Sequence, residues 1–297
     1  MAFNSQTFKT RTITSIVFVV VMLAGLLWNQ WSFFILFSII HFGCWWEYLK
    51  LIEKIYKTKI DKFIKYFFVF CGYVLMIVVG LKNVTINFWI GRSDFELNMK
   101  WLFWGGSFLL LFIFLFQNKV IAEKAKWISV AGLVYISLSI GLMLNLSGSL
   151  DDIMSNIGMA FFSPFMPCLI IFSIWINDTM AYIVGSLIGK TPLSKISPQK
   201  TWEGTMGGVI LAIVVSFICL QIIYSGLKVE AWKIVMITAI AAITGTFGDL
   251  FESKLKRMAN VKDSGHIMPG HGGFLDRFDS LLLAIPFVWL YVYFFMK

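Results

Sequence analysis

MPCLIIFSIWINDTMAYIVGSLI, residues 166–188, is long and apolar enough to cross a lipid bilayer as a single helix, which takes about 20 such residues. Asn177 and Asp178 interrupt it near its middle. An ionisable side chain at that depth costs about 2.5 to 3.5 kcal/mol on insertion scales and tends to mark a pathway or a site. The stretch therefore predicts a membrane-spanning fold and a polar position within it.

Apolar stretches of similar length recur along the whole sequence. Hydrophobic residues make up 59% of the 297 residues and charged residues only 14%, against about 25% charged in soluble proteins. This composition leaves no separate soluble domain and predicts one all-α, polytopic membrane domain. Its expected transmembrane helices, about nine in number, cover residues 13–29, 32–49, 63–81, 101–117, 127–147, 166–188, 205–224, 233–252 and 278–296.

The first of these runs follows Lys9 and Arg11 and has the outline of a signal peptide. It lacks a convincing small-residue cleavage site, and a second apolar run follows almost at once. We therefore expect residues 13–29 to be retained as the first transmembrane helix.

The distribution of basic residues selects one of the two possible orientations of nine helices. With the N-terminus in the cytoplasm, 19 of the 25 lysines and arginines fall in cytoplasmic segments. The positive-inside rule then predicts a cytoplasmic N-terminus and a C-terminus outside. This bias also accounts for the net charge of +9 without a nucleic-acid partner. The loops after the sixth and eighth spans consequently face one compartment and are able to form one site.

Acidic side chains concentrate in the C-terminal half. Asp249, Glu252 and Ser253 share one face of the eighth span, and Asp276 and Asp279 share one face at the start of the ninth. Carboxylates that converge from different helices cannot all be desolvated and ionised without a compensating cation. Oxygen ligands of this kind suit Mg2+, which completes its shell with water and substrate phosphates. The pattern predicts a Mg2+ site.

Cationic side chains and glycines lie beside these acids. The segment PGHGG, residues 269–273, offers a backbone that can approach phosphate oxygens closely. Acids that hold a metal next to bases that hold phosphate are what phosphoryl or nucleotidyl transfer requires. The glycines could equally form a plain turn capped by His271, and the basic residues could serve topology alone. The cationic residues in question are Lys200, Lys256, Arg257, Lys262 and Arg277.

Three blocks of the C-terminal half carry a family resemblance. They are NDTMAYIVGSLIGKTPLSKISPQKTWEGTMGG (residues 177–208), GTFGDLFESKLKR (245–257) and KDSGHIMPGHGGFLDRFD (262–279). Together they resemble the signature motifs of the phosphatidate cytidylyltransferases, also called CDP-diacylglycerol synthases. The matching motifs cover somewhat more than a third of the chain.

The remaining sequence resembles this family less closely. The N-terminal half matches it through Arg11 and through WWEYLKL, residues 45–51. Within the motifs, Gln199 stands where many members have lysine, and Met180 stands where bacterial members often have glycine. Lys200 still supplies a cation next to Gln199.

The resemblance implies an enzyme that joins phosphatidate to CTP, releases pyrophosphate and leaves CDP-diacylglycerol in the membrane. It implies a nine-helix homodimer with a Mg2+-dependent site that opens to the cytoplasm of a bacterium, in the inner membrane. In this interpretation the spans within residues 13–147 provide the scaffold and the dimer contacts. The spans within residues 166–296 carry the active site, with the cytoplasmic loops 189–204 and 253–277.

Individual roles follow by carrying the motifs over. Asp249 and Asp276 are expected to bind Mg2+, with Asp279 and Asp263 beside it or at a second cation. Ser197, Thr201 and Glu203 are expected to order the loop that closes on the nucleotide, although Thr201 and Glu203 also fit the first turn of a helix. The expected catalytic residues are Asp249, Asp276, Lys256, Arg257 and Arg277. The expected substrate-binding residues are Asn177, Asp178, Ser197, Lys200, Thr201, Glu203, Ser253, Lys262, Asp263, His271, Gly272 and Gly273, and the expected metal ligands are Asp249, Asp276 and Asp279.

Three other functions account for part of the pattern. A cation-coupled transporter would explain Asp178, Asp249 and Asp279 as an ion path but gives the glycine-histidine loop no role. A membrane kinase that uses CTP to phosphorylate a lipid alcohol would need the same groups and would release CDP. A scaffold that keeps the site residues without turnover is the third alternative.

Overall fold

The computed structural model of the protein describes residues 5–80, 85–90, 93–98, 123–155, 164–223, 231–267 and 272–296. These residues form long helices and one small hairpin. In chain order the elements are α1 (Ser5–Leu27), α2 (Gln30–Tyr56), α3 (Lys62–Gly80), β1 (Thr85–Ile90), β2 (Ser93–Asn98), α4 (Glu123–Gly132), a π-helical segment (Leu133–Leu138), α5 (Ser139–Ser155), α6 (Phe165–Ile188), α7 (Trp202–Ile223), α8 (Ala231–Met258) and α9 (Leu275–Phe295).

The expectation of an all-α, polytopic membrane protein is confirmed. The described part of the chain contains seven helical stretches that are long and apolar enough to cross a bilayer, and the apolar part of α1, Thr12–Leu27, forms a shorter one. The predicted span at 101–117 lies outside the described residues. The number of spans and the orientation of the termini therefore stay predictions.

The C-terminal ends of α2 and α8 both lie beyond the apolar runs that predicted them. The second span was predicted to end near residue 49, but α2 continues to Tyr56, where Lys57 adopts a left-handed conformation with φ of 52°. The eighth was predicted to end at residue 252, but α8 continues to Met258. The added turns are rich in charged residues, which hydropathy assigns to loops although helices can carry them into water. The sequence-predicted loop 253–277 is shorter as a result.

The hairpin was not predicted. β1 and β2 pair in antiparallel fashion, from Thr85 opposite Asn98 to Ile90 opposite Ser93. Hydropathy had placed this stretch in a connection between two spans. The sequence TINFWI of β1 is rich in β-branched and aromatic residues, which favour strands, and is too short to span a membrane as a helix.

Buried polar contacts join α2 to the π-helical segment. The indole N–H of Trp45 donates to the Ser137 hydroxyl at 2.8 Å, and Nε2 of His41 lies 2.9 Å from the same oxygen. Trp45 and His41 are completely buried, so these bonds replace hydration that the side chains lose. α2 thereby forms the centre of the N-terminal half.

Glycines allow the helices of the C-terminal half to approach closely. A methyl group on Gly208 of α7 would lie 2.7 Å from the carbonyl oxygen of Asn177 on α6. A methyl group on Gly248 of α8 would overlap the backbone of Asp279 and Ser280 on α9. Small residues at such crossings are typical of membrane helices, where close backbone approach supplies much of the packing energy. Polar side chains of α6, α8 and α9 are thereby brought together.

Replacing Gly208 with alanine is expected to lower the stability of the protein by about 1 to 3 kcal/mol, because the new methyl group meets backbone atoms that cannot yield. The matched control is Gly245→Ala on α8, where the nearest atom would lie at 3.4 Å, an ordinary contact. The thermal unfolding midpoint in detergent should fall for Gly208→Ala and stay level or rise for Gly245→Ala. Equal midpoints for the two variants would contradict this account of the packing.

Candidate active site

A cavity of about 620 Å3 lies between α1, α6, α7, α8 and α9. That volume is typical of a small-molecule site. One wall is apolar and includes Phe18, Met22 and Trp175. The polar wall carries four carboxylates and three cationic side chains, namely Asp178, Asp249, Asp276, Asp279, Lys200, Lys256 and Arg277.

The loop between α6 and α7 brings Lys200 to this cavity. The loop folds back on itself, because the N–H of Leu193 donates to the Lys200 carbonyl at 2.7 Å and the N–H of Trp202 donates to the Thr191 carbonyl at 2.9 Å. The carboxylate of Glu203 accepts the N–H groups of Lys190 and Thr191, at 3.2 Å each. Glu203 therefore fastens the loop to the first turn of α7.

Thr201 begins α7. Its Oγ1 accepts the N–H of Gly204 at 3.1 Å, which is the bond that an N-cap residue makes with the third residue of a helix. Thr201 also lines the cavity, as do Ser197 and Gln199. Thr201 and Glu203 thus order the loop from which Lys200 extends.

Asp249 of α8 lies among charged groups of the cavity. Its Oδ2 forms an ion pair with Nζ of Lys200, and its Oδ1 accepts the hydroxyl of Ser253 at 3.1 Å. The carboxylates of Asp178 and Asp279 both lie close enough to Asp249 to be repelled by its charge. The charges of Lys200 and Lys256 act on these three carboxylates. Carboxylates this close together favour an added cation.

Asp276 is held more firmly than the other acids. Its Oδ1 accepts Nζ of Lys256 at 2.7 Å. Its Oδ2 accepts the N–H of Ser264 at 2.9 Å and the N–H of Gly273 at 2.8 Å. Gly272 precedes this contact with φ of +83°, a conformation that residues other than glycine rarely adopt. Asp276 therefore connects α9 to both described ends of the preceding loop.

Lys256 links this carboxylate to a second one. Its Nζ lies 2.5 Å from Oε2 of Glu252, one turn earlier on α8, as well as 2.7 Å from Asp276. The Glu252 side chain has no exposed surface, and its Oε1 has no hydrogen-bond partner among the described residues. The charge of Lys256 therefore compensates a fully buried acid.

The structure brings together most, but not all, of the residues that the sequence proposed for the site. Asn177 and Asp178 line the cavity from α6, and the other predicted residues that line it are Ser197, Lys200, Thr201, Asp249, Lys256, Asp276, Arg277 and Asp279. The predicted residues Glu203, Ser253, Gly272 and Gly273 do not line it. Arg257, Lys262 and Asp263 are exposed and do not line it. His271 lies outside the described residues.

Sequence reasoning missed two residues of this region, Thr246 and Glu47, and one ion pair, that of Glu252. Thr246 lines the cavity one turn before Asp249 on α8. The spacing of three positions that puts these two residues on one helix face is visible in the sequence. Glu252 was assigned to the same face as Asp249, without its ion pair. Glu47 of α2 contacts the start of α9 from the other half of the chain. Its only signal was a carboxylate inside the apolar run WWEYLKL.

The donor atoms of the cavity suit a hard cation. No group of three histidine, cysteine or acidic side chains is close enough to enclose a metal ion within the part of the chain that the structure describes. Mg2+ is commonly held by one or two carboxylates and takes its other ligands from water and phosphates. Asp249 and Asp279, which both line the cavity, are the carboxylates that could supply this smaller set of ligands.

Comparison with known proteins gives a family. A family model described as the cytidylyltransferase family matches residues 9–295. A phosphatidate cytidylyltransferase of Bacillus subtilis is 36% identical over 182 residues, which are 61% of this chain and 63% of the relative. A phosphatidate cytidylyltransferase of Staphylococcus haemolyticus is 47% identical over 114 residues, which are 38% of this chain and 43% of the relative. The chain thus spans less than two thirds of the length of either relative.

Proposed function

Because the chain belongs to the cytidylyltransferase family, we propose that it converts phosphatidate and CTP to CDP-diacylglycerol and pyrophosphate. The observation that supports this most strongly is the cavity, which joins an apolar wall to a wall of four carboxylates and three cationic side chains. An apolar wall suits the lipid end of phosphatidate. A wall of mixed charge suits two phosphorylated groups that must approach each other.

The reaction has a simple covalent balance. A phosphate oxygen of phosphatidate attacks the α-phosphorus of CTP, a new P–O bond forms, and the bond to the β-phosphate breaks, so that pyrophosphate leaves. The attacking phosphate is already an anion, and no strong base is required. The chief barrier is repulsion between two polyanions, which fixed positive charges reduce.

The cationic side chains of the cavity would supply that charge. Lys200 and Arg277 line the cavity together with the acids and would contact phosphate oxygens, Lys200 by leaving its ion pair with Asp249 once a metal ion occupies that carboxylate. Lys256 is already engaged by Glu252 and Asp276, so we assign it to the arrangement of the acids rather than to CTP. Arg257, Lys262 and Asp263 are exposed outside the cavity, where they could meet CTP before it enters.

One or two carboxylates among Asp249, Asp276 and Asp279 would hold Mg2+, and bound Mg2+ would neutralise charge on the CTP phosphates and on pyrophosphate. Asp249 and Asp279 have the fewest protein partners of the three. Asp276 would keep its bonds to Ser264 and Gly273 while its Oδ1 exchanges the contact with Lys256. Asp178 leaves room for a second cation on the same wall.

Asn177 and Asp178 would then lie where the phosphatidate headgroup meets the nucleotide, because they line the cavity from the middle of the apolar helix α6. The protein is a multi-pass membrane protein, and the excess of basic residues in the loops next to this site supports a site that opens to the cytoplasm. Bacterial relatives support the inner membrane as its location. Association into a homodimer remains a proposal from family resemblance.

The products separate this activity from the alternatives. Purified protein is incubated with phosphatidate, Mg2+ and CTP labelled at the α-phosphate. We expect the label in a CDP-lipid and the release of unlabelled pyrophosphate. Diacylglycerol in place of phosphatidate is the substrate control and should give no labelled lipid. Label in free CDP would instead indicate a lipid kinase, and solute uptake by proteoliposomes without nucleotide consumption would indicate a transporter.

A further inference from the structure

A carboxylate from the N-terminal half joins the two flanks of the PGHGG segment. Glu47 of α2 is only 3% exposed. Its Oε1 accepts the N–H of Phe274 at 3.0 Å, and its Oε2 accepts the N–H of Leu275 at 2.9 Å. The same Oε2 lies 2.7 Å from the hydroxyl of Ser264, on the other flank. One side chain thus holds both flanks, which lie 217 to 228 positions later in the sequence.

The first turn of α9 needs an acceptor of this kind. The first N–H groups of a helix have no partner within it, and the residue that precedes α9 makes no side-chain cap. The Glu47 carboxylate satisfies two of these groups from another helix. Its negative charge also lies at the positive end of the helix dipole, which stabilises it in a buried place.

Glycines make room for this carboxylate. A methyl group on Gly265 or on Gly273 would overlap Glu47, and one on Gly43 of α2 would overlap the ring of Phe274. The sequence suggested that the glycines of PGHGG, Gly273 among them, let the backbone approach phosphate. For Gly273 the structure supplies a different reason, namely the space that Glu47 occupies, and the same reason holds for Gly265.

Ser264 connects Glu47 to Asp276, which lines the cavity. Its hydroxyl lies between two carboxylates, 2.7 Å from Oε2 of Glu47 and 2.9 Å from Oδ2 of Asp276. Its N–H also donates to Oδ2 of Asp276. We infer that Glu47 is a positioning residue for the proposed reaction. It holds Ser264 and the start of α9 and thereby fixes the positions of Asp276, Arg277 and Asp279 in the cavity.

The inference rests on the proposed function and is tested with the Glu47→Gln variant of the full chain. Glutamine keeps the shape but cannot accept both N–H groups. We expect kcat for CDP-lipid formation to fall by about 10- to 100-fold, the range found when residues that orient metal ligands are changed. The Mg2+ concentration for half-maximal rate should rise, while the KM for phosphatidate stays unchanged. A merely structural role would reduce the yield of folded protein and leave both kcat and the Mg2+ dependence as in the wild type.

Glu53→Gln is the matched control. Glu53 lies on the same helix and also accepts a backbone N–H, that of Ile60 at 2.8 Å, and it pairs with Lys65. It does not contact the α9 segment, so its kcat and Mg2+ dependence should match the wild type. Ser264→Ala leaves the helix cap in place and removes the hydroxyl that connects Glu47 to Asp276, and it should raise the Mg2+ requirement to a smaller extent. If Glu47→Gln does not fold, Ser264→Ala carries the test.

Amide hydrogen exchange separates this inference from the proposed function. The N–H groups of Phe274 and Leu275 should exchange faster in Glu47→Gln than in the wild type, whatever reaction the protein performs. If the wild type makes no CDP-lipid, the proposed function is overturned. Faster exchange of these two N–H groups in Glu47→Gln would still support Glu47 as the residue that holds this segment. Unchanged exchange together with unchanged kcat and Mg2+ dependence would overturn the inference.

Discussion

Replacing Asp249 with asparagine is expected to reduce the rate of CDP-lipid formation by about 100- to 1,000-fold, the loss that follows when one preorganised electrostatic group of a site is removed. Asp249 lies near two other carboxylates of the cavity, those of Asp178 and Asp279. Asparagine keeps the size of the side chain but loses its charge. The measurement is the initial rate with Mg2+ titrated at saturating CTP.

This variant also removes the partner of Lys200, and the two effects need to be separated. If Asp249 served only to hold Lys200, then Lys200→Met would cause the same loss and neither variant would alter the Mg2+ dependence. If Asp249 binds Mg2+, Asp249→Asn should raise the Mg2+ requirement, whereas Lys200→Met should chiefly raise the KM for CTP. Near wild-type turnover of Asp249→Asn with unchanged Mg2+ dependence would exclude Asp249 as a ligand.

The helical membrane body was predictable because its cause is local. A run of about 20 apolar residues can satisfy its backbone in a bilayer only as a helix, whatever its neighbours are. The ends of α2 and α8 were less predictable. Their last turns are charged but helical, whereas a hydropathy profile ends a predicted span where charged residues begin. The hairpin β1–β2 was missed for the related reason that a span count has no place for a strand.

The residue types of the candidate site were predictable from the sequence, but the contacts between its side chains were not. Spacing placed Glu252 on the face of Asp249, and an i, i+4 relation to Lys256 is visible in the sequence. Nothing in the sequence says that Lys256 also reaches Asp276, or that Lys200 from another loop pairs with Asp249. These are contacts between distant segments that only the packing of helices determines.

Glu47 illustrates the limit most clearly. A single carboxylate within WWEYLKL indicates a buried acid that needs partners, yet it does not indicate which. Its partners are a hydroxyl and two backbone N–H groups of the other half of the chain. Backbone donors leave no mark in a sequence, so a motif search assigns the acid to no function.

Replacing Lys256 with methionine is expected to give the largest loss of stability, about 3 to 5 kcal/mol, because removing one partner of a buried ion pair leaves an uncompensated charge. Glu252 has no exposed surface and has Lys256 as its charged partner. The thermal unfolding midpoint in detergent should fall by roughly 10 °C. Lys254→Met is the matched control, because Lys254 lies on the same turn of α8 but is exposed, and its midpoint should stay near that of the wild type.

A second substitution distinguishes the two carboxylates that Lys256 serves. In Lys256→Met/Glu252→Gln the buried charge is removed together with its partner, so most of the lost stability should return. Activity should not return with it, because Asp276 still lacks the cation that lies 2.7 Å from its Oδ1 in the native arrangement. A double variant as unstable as Lys256→Met would show that Asp276, rather than Glu252, carries the cost of the missing lysine. Recovery of both stability and rate would instead mean that Lys256 neutralises Glu252 and has no part in setting the position of Asp276.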